Sequence, residues 1–165
     1  MRYHALRRKE VKRFRELICV KYGELCDIAK AFNEGVIYYL DDLKLLVFDG
    51  LPSIIIMDDE LIPTLVIVKK AGLNSLPYAV VDEGAVKHLI NGADVMVPGI
   101  TEVSEFNVGD IVAVWEPTKT SPIVIGKALL SSSDIRSRSK GRAIRNLHHA
   151  GDKIWRTILT IIRSL

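Results

Sequence analysis

Apolar residues near the start of the chain recur at the spacing of an α-helix. Val11, Phe14 and Ile18 lie three or four residues apart, so one side of a helix would collect them. Gly23 follows at a point where a helix commonly ends. We therefore predict an amphipathic helix over residues 6–22.

The pattern then changes to short runs of β-branched and aromatic residues separated by Asp, Asn, Gly and Pro. Such runs predict strands joined by tight turns. The predicted strands are residues 36–40, 45–48 and 54–57. Residues 65–70 fit either a short helix or another strand. Together these elements predict a small α+β unit over residues 1–72.

The second half of the chain alternates short apolar runs with glycine-rich turns. An acidic residue, Asp82 or Glu83, is positioned to cap a short helix over residues 84–90, and Gly92 ends it. The polar residues 131–142 predict a loop or a short exposed helix. Strands are predicted at residues 78–81, 95–97, 111–115, 123–130 and 143–149, and a helix from residue 152. Short strands with glycine-rich turns are typical of a small β-barrel or sandwich.

Six blocks of this half, in order and at the expected spacing, resemble the PUA domain, an RNA-binding module named after pseudouridine synthases and archaeosine transglycosylases. The blocks are VDEGAV at residues 81–86, NGADVMVPGI at 91–100, FNVGDIV at 106–112, IGKA at 125–128, KGRA at 140–143 and HHAGDKIW at 148–155. The resemblance implies a PUA-type β pseudo-barrel with short helices over residues 77–155. A helical extension would follow at residues 156–165.

The residues before this domain narrow the choice of family. The tripeptide PTL at residues 63–65, a linker that ends at Pro77 and the block at residues 81–86 look like the two-domain malignant-T-cell-amplified group of translation proteins. In that group a small α+β domain precedes the PUA domain. The resemblance implies RNA, either tRNA or rRNA, as a ligand. It further implies contact with the small ribosomal subunit and with a separate protein that supplies an initiation-factor-like domain.

Charge is segregated along the 165 residues. Residues 1–23 contain eight Lys/Arg and two Asp/Glu, residues 24–126 contain six and sixteen, and residues 127–165 contain nine and two. Two basic ends around an acidic middle create local fields that favour an acidic partner, unless folding neutralises them against the middle. On the first helix, the candidates for docking a partner are Arg8, Lys12 and Arg15.

The PUA resemblance implies that RNA lies across the first helix of the domain, the loop after it and the next strand. The candidates there are Lys87, Asn91, Gly92, Ala93, Asp94, Met96, Val97, Pro98 and Gly99. Gly92 and Ala93 carry no bulky side chain, so a sugar-phosphate backbone would approach closely and exposed amides would bond its phosphate oxygens. Only one of Met96 and Val97 can face a base, because strand side chains alternate. The alternative is that these glycines serve only as turn residues.

A second candidate surface is the basic stretch formed by Arg136, Arg138, Lys140, Arg142 and Arg145. These cations would contact phosphates and position RNA without reading its sequence, so binding would weaken steeply with salt. The alternative is a solvated loop that its charge keeps soluble.

Other chemistry-bearing residues suggest no further site. Cys19 and Cys26 are interpreted as partly buried free thiols, since two cysteines cannot form a disulfide framework. His148 and His149 are neighbours on a predicted strand and point to opposite faces, which does not suit a metal site with Asp152. No nucleotide-binding glycine motif, zinc spacing or acid–base pair is found, so no cofactor, metal or catalytic residue is expected.

The leading hypothesis is a non-catalytic RNA-binding protein of translation. No apolar run is long enough to span a membrane and the N-terminal residues lack the apolar core of a secretory signal, so the cytoplasm is the expected compartment. The alternative is an RNA-targeting accessory subunit of a tRNA- or rRNA-modifying enzyme. A third reading is an adapter whose PUA fold no longer binds RNA.

Overall fold

The computed structural model describes residues 1–164, which divide into two compact units, Met1–Ser75 and Leu76–Ser164. Within these residues, no helix is both long and apolar enough to cross a bilayer. Leu165, the last residue of the predicted C-terminal extension, lies outside the described residues.

An antiparallel five-stranded sheet forms the N-terminal unit. Its strands are β1 (Tyr3–Ala5), β2 (Gly35–Leu40), β3 (Leu43–Phe48), β4 (Leu51–Met57) and β5 (Glu60–Pro63). They lie side by side in the order of the sequence. Asp41, Asp49 and Asp58 make the turns with φ values of 48°, 50° and 51°. Their short polar side chains tolerate the left-handed conformation that tight hairpins require.

Three helices accompany this sheet. They are α1 (Arg8–Lys21), α2 (Cys26–Ala29) and α3 (Leu65–Ala71). The first confirms the helix predicted from apolar spacing and buries Val11 and Ile18. The third resolves the choice left open for residues 65–70. It is a helix that begins where Thr64 Oγ1 accepts a hydrogen bond from the Ile67 amide at 3.2 Å. The predicted α+β architecture is confirmed for this half.

The interpretation of Cys19 and Cys26 as free thiols is wrong, because their sulfurs form a disulfide. α1 ends at Lys21, and a 3₁₀ turn at Gly23–Leu25 reverses the chain. The reversal brings the Cα atoms of the two cysteines to 4.4 Å. On a helix continued past Gly23 the same atoms would lie about 10 Å apart, beyond the reach of a disulfide.

The C-terminal unit is built on six strands. They are β6 (Tyr78–Val81), β7 (Val95–Met96), β8 (Ile100–Val103), β9 (Ile111–Trp115), β10 (Pro122–Ala128) and β11 (Arg142–His149). Their spatial order is β7-β11-β10-β9-β6-β8, and every pair is antiparallel except β6 with β9. The sheet nearly closes into a β pseudo-barrel, which confirms the predicted fold.

Small and β-branched side chains fill the interior of this barrel. Val81, Val112, Val114 and Ile144 are fully buried there. At a register shift in β10, a Cβ on Gly126 would lie 2.5 Å from the Arg145 carbonyl oxygen of β11. Glycine is therefore required at this position.

Three helices complete the C-terminal unit. They are α4 (Glu83–Leu89), α5 (Ser132–Ser137) and α6 (Lys153–Ser164). The polar stretch at residues 131–142, predicted as a loop or a short helix, contains α5 followed by an exposed segment. On α6, Ile154, Ile158 and Ile161 form a buried stripe.

Breaking the disulfide is expected to destabilise the N-terminal unit. The bridge joins residues that are 7 positions apart, and closing such a loop stabilises the folded state by about 2 kcal/mol. In the double variant Cys19→Ser, Cys26→Ser, amide hydrogens of α1 and α2 should exchange about tenfold faster or more, as measured by hydrogen-exchange mass spectrometry. Amides of Leu76–Ser164 provide an internal control. Unchanged protection of α1 and α2 would contradict this role of the bridge.

Candidate nucleic-acid interface

Capping hydrogen bonds at both ends of α4 fix the helix and the turn that were predicted to contact RNA. Asp82 Oδ1 accepts the Ala85 amide at 2.9 Å and begins α4. At the other end Gly92, with φ 96°, turns the chain toward β7. The amides of residues 91–93 donate to the carbonyl oxygens of His88 and Leu89 at 3.0–3.2 Å. The helix end therefore already uses these three amides, and phosphate binding by an amide of this loop stays a prediction.

Asp94 fastens this turn to β11. Its Oδ1 accepts the Asn146 amide at 2.9 Å, and its Oδ2 accepts Arg142 Nε at 3.1 Å together with a second guanidinium N–H. Burial raises the pKa of Asp94, but these hydrogen bonds outweigh it and hold the pKa below its usual value. Asn146 Nδ2 donates to the carbonyl oxygens of Ala93 at 2.9 Å and Leu89 at 3.2 Å. Asp94 and Arg142, both predicted to contact RNA, thus form an ion pair with each other.

An open groove of about 500 Å³ lies between α4 and the segment after β7. Its walls are mostly small or apolar and include Gly84, Ala85, Met96, Pro98 and Gly99. A Cβ on Gly99 would lie 3.1 Å from the Ala85 Cβ, so the glycine lets the two walls meet at the floor. A planar, largely apolar surface such as a nucleobase suits such walls.

The residues predicted on the turn and strand differ in accessibility. Met96 is 46% exposed and Val97 is 6% exposed, which confirms that only one of the two side chains faces outward. Pro98 is exposed beside Met96, and Lys87 is exposed on α4. Asn91 is exposed too, and its Nδ2 donates to the Lys87 carbonyl oxygen at 2.9 Å.

His88 lines the groove and was missed by the sequence analysis. It lies one helical turn beyond Ala85, on the same side of α4. A search at helical spacing from the cap residue Asp82 would have found both.

The basic stretch is only partly available to a ligand. Arg136 pairs with Glu105 at 2.7 Å and also donates to the Val103 carbonyl oxygen at 3.2 Å. Arg138 and Lys140 are exposed, and within residues 1–164 no carboxylate pairs with either. Arg136 and Arg138 line a second cleft of about 530 Å³ that shares Pro98 with the groove. The two predicted surfaces therefore meet at this proline.

The three residues of α1 that were predicted to dock a partner differ in how exposed their side chains are. Arg8 and Lys12 are exposed. Arg15 is partly buried, and its Nη1 donates to the Phe32 carbonyl oxygen at 2.7 Å. This contact holds the chain after α2 against α1, so Arg15 supports the fold of the unit.

His148 and His149 are held by one carboxylate. Asp152 Oδ2 lies 2.9 Å from His148 Nδ1 and accepts the His149 amide at 2.9 Å, while its Oδ1 accepts the Trp155 amide at 2.7 Å. Burial raises the pKa of Asp152, but these hydrogen bonds hold it below its usual value. The carboxylate thereby fixes the exit from β11 and the start of α6. Residues 1–164 contain no cluster of three potential metal ligands.

Two family models match the chain. The model of the PUA domain matches residues 77–150, and that of a domain of unknown function, DUF1947, matches residues 2–71. Translation machinery-associated protein 20 of Saccharomyces cerevisiae is 33% identical over 122 residues, which are 70% of this chain and 67% of the yeast protein. The chain belongs to the family of this protein.

Other members of the family extend the comparison. An uncharacterized protein of Methanocaldococcus jannaschii is 39% identical over 154 residues, 91% of this chain and 93% of its own. Human malignant T-cell-amplified sequence 2 is 36% identical over 84 residues, 48% of this chain and 46% of the human protein. The resemblance to the malignant-T-cell-amplified group is thus confirmed.

Solved structures share the fold. A hypothetical protein of Pyrococcus horikoshii has a TM-score of 0.82 and 32% identity, covering 95% of this chain and 99% of that one. A PUA-domain protein of Aeropyrum pernix, solved with tartrate, has a TM-score of 0.84 and 29% identity, covering 98% and 94%. Family and domain together support an RNA-binding role connected with translation.

Replacing Asp152 is expected to weaken the C-terminal unit in a pH-dependent way. A carboxylate whose folded pKa is lowered stabilises the protein above its unfolded pKa of about 4, and this contribution disappears as pH falls through the folded pKa. Asp152→Asn should lose about 1–3 kcal/mol at pH 7, and the difference from the wild type should narrow below about pH 4. Urea unfolding followed by tryptophan fluorescence reports on this unit, which contains both Trp115 and Trp155.

The matched control is Asp134→Asn, which removes an exposed carboxylate from α5. Its unfolding free energy should follow the wild type at every pH. A constant difference between Asp152→Asn and the wild type from pH 7 to pH 2 would contradict the assignment.

Proposed function

We propose that this protein is a non-catalytic RNA-binding component of translation that acts in the cytoplasm. Its PUA unit binds structured RNA, either the acceptor end of tRNA or rRNA. Its N-terminal unit docks the small ribosomal subunit or a separate protein with an initiation-factor-like domain.

The observation that carries this proposal is the apolar groove beside exposed cations. Met96 and Pro98 offer accessible apolar surface at its edge, and Lys87 lies on the helix that forms one wall. Arg138 and Lys140 follow on the segment next to the cleft that shares Pro98. An unstacked base would pack in the groove while these ammonium and guanidinium groups contact phosphates on either side.

Three carboxylates of the PUA unit have structural duties, which supports a binding role without catalysis. Asp82 caps α4 and Asp94 fastens the turn. Asp110 accepts the Asn107 amide at 2.8 Å in the loop before β9. None of the three is left to act as a general acid or base.

The N-terminal unit supplies exposed cations on one helix. Arg8 and Lys12 lie on α1, whereas Arg15 is engaged within the unit. An anionic surface such as rRNA is the partner that these two side chains fit.

Removing the exposed cations of the PUA unit is expected to weaken RNA binding. In the variant Lys87→Gln, Arg138→Gln, Lys140→Gln, three phosphate contacts are lost. Each contact to a single strand contributes about 0.7 to the slope of log K against log salt, so the slope should fall by about 2. The measurement is filter binding of a tRNA acceptor-stem hairpin with a single-stranded 3′ end across a salt series, with cosedimentation with small ribosomal subunits in parallel.

A control variant removes the same number of cations from other elements. Lys30→Gln, Lys70→Gln, Arg163→Gln changes the exposed ends of α2, α3 and α6. It should keep the wild-type slope and affinity. An equal slope in both triple variants would count against the groove as the RNA site, and absence of RNA binding by the wild type would overturn the proposed function.

A further inference from the structure

His149 carries a hydrogen-bond acceptor at the Gly92 turn. Its Nδ1 lies 2.9 Å from the Ala150 carbonyl oxygen. A carbonyl oxygen only accepts, so Nδ1 carries the proton of this bond. In the neutral ring Nε2 is then left with a lone pair. The His149 amide donates to Asp152 at 2.9 Å, which fixes the backbone that presents the ring.

The position of Nε2 places this lone pair against the turn. A Cβ built on Gly92 would lie 3.5 Å from it. Because residue 92 is glycine, that space is open to a ligand. Within residues 1–164, no hydrogen bond reaches Nε2, and the atom is not sealed from solvent.

The backbone of residues 91–93 also offers acceptors rather than donors. The amides of Asn91, Gly92 and Ala93 are used by the end of α4. The carbonyl oxygens of Asn91 and Gly92 receive no hydrogen bond from any part of the chain that the structure describes. A phosphate brings only acceptors and is mismatched here, whereas a hydroxyl group brings a donor.

We propose that His149 Nε2 accepts a hydrogen bond from a ribose 2′-hydroxyl seated on the Gly92 turn, so that this histidine selects RNA over DNA. The inference rests on the proposed function, because it assigns a ligand group to the same surface. Phosphates of the bound strand contact the exposed cations, and the turn reads the sugar between them. The 2′-hydroxyl is the group by which a protein distinguishes the two nucleic acids at a given site.

The first test needs no protein variant. The probe is the acceptor-stem hairpin with a single-stranded 3′ end, prepared with one 2′-deoxy or one 2′-fluoro substitution at each overhanging nucleotide in turn. The fluoro sugar keeps the ribose pucker but cannot donate a hydrogen bond. At one position, both substitutions should weaken binding about threefold to tenfold, the range of one hydrogen bond.

The second test asks whether His149 receives that hydrogen bond. His149→Leu removes the acceptor and should weaken binding of the all-ribose hairpin by a similar factor, with no further loss on 2′-deoxy substitution. His149→Gln keeps an acceptor and should restore sensitivity to the 2′-deoxy sugar. His4→Leu, a histidine replacement in the N-terminal unit, should behave as the wild type.

The outcomes separate this inference from the proposed function. RNA binding that is insensitive to every 2′ substitution would overturn the 2′-hydroxyl contact and leave RNA binding intact. Full 2′ sensitivity retained by His149→Leu, with a wild-type unfolding free energy, would overturn the role of the histidine. Failure of the wild type to bind the hairpin would overturn both.

Discussion

The carboxylate of Asp94 is the contact on which the geometry of the proposed RNA surface depends. It joins the turn after α4 to β11, two segments that are 48–52 positions apart in the sequence, through the Arg142 guanidinium and the Asn146 amide. Asn146 then returns a side-chain hydrogen bond to the Ala93 carbonyl oxygen. Because β11 is paired on both sides, with β7 and β10, and α4 forms a wall of the groove, this network fixes the width of the groove against the sheet.

That constraint also determines the polarity of the surface. The end of α4 uses the amides of residues 91–93, and the network uses the Asp94 carboxylate and the Arg142 guanidinium, so the backbone of residues 91–93 keeps only acceptors. Donors and positive charge come from elsewhere, from Lys87 on the helix and from Arg138 and Lys140 after α5. In the proposed complex, each part of a nucleotide has a different neighbour: apolar walls for the base, acceptors for the sugar and cations for the phosphates.

Local sequence patterns predicted most helices and strands. The disulfide and the contacts of the candidate site depend on residues that are brought together only by the fold. The β9 strand and the Asp82 cap were predictable because a short apolar run and a capping residue are both signals from neighbours in sequence. The disulfide was not predictable, because it depends on the residue at which α1 ends and on how sharply the next turn reverses the chain. In the sequence, Gly92 fits either a helix end or a point where a ligand approaches the backbone closely. The hydrogen bonds from the amides of residues 91–93 to α4 show that it ends the helix. The pairing of Asp94 with Arg142 joins residues that no local pattern relates.

The proposed RNA site can be tested by photo-crosslinking RNA that carries 4-thiouridine in its single-stranded 3′ end. Mass spectrometry then identifies the attached peptides. Crosslinks are expected within residues 83–99, at the groove, with Met96 or His88 among the modified side chains. Crosslinks confined to residues 1–75, with none in the PUA unit, would contradict it.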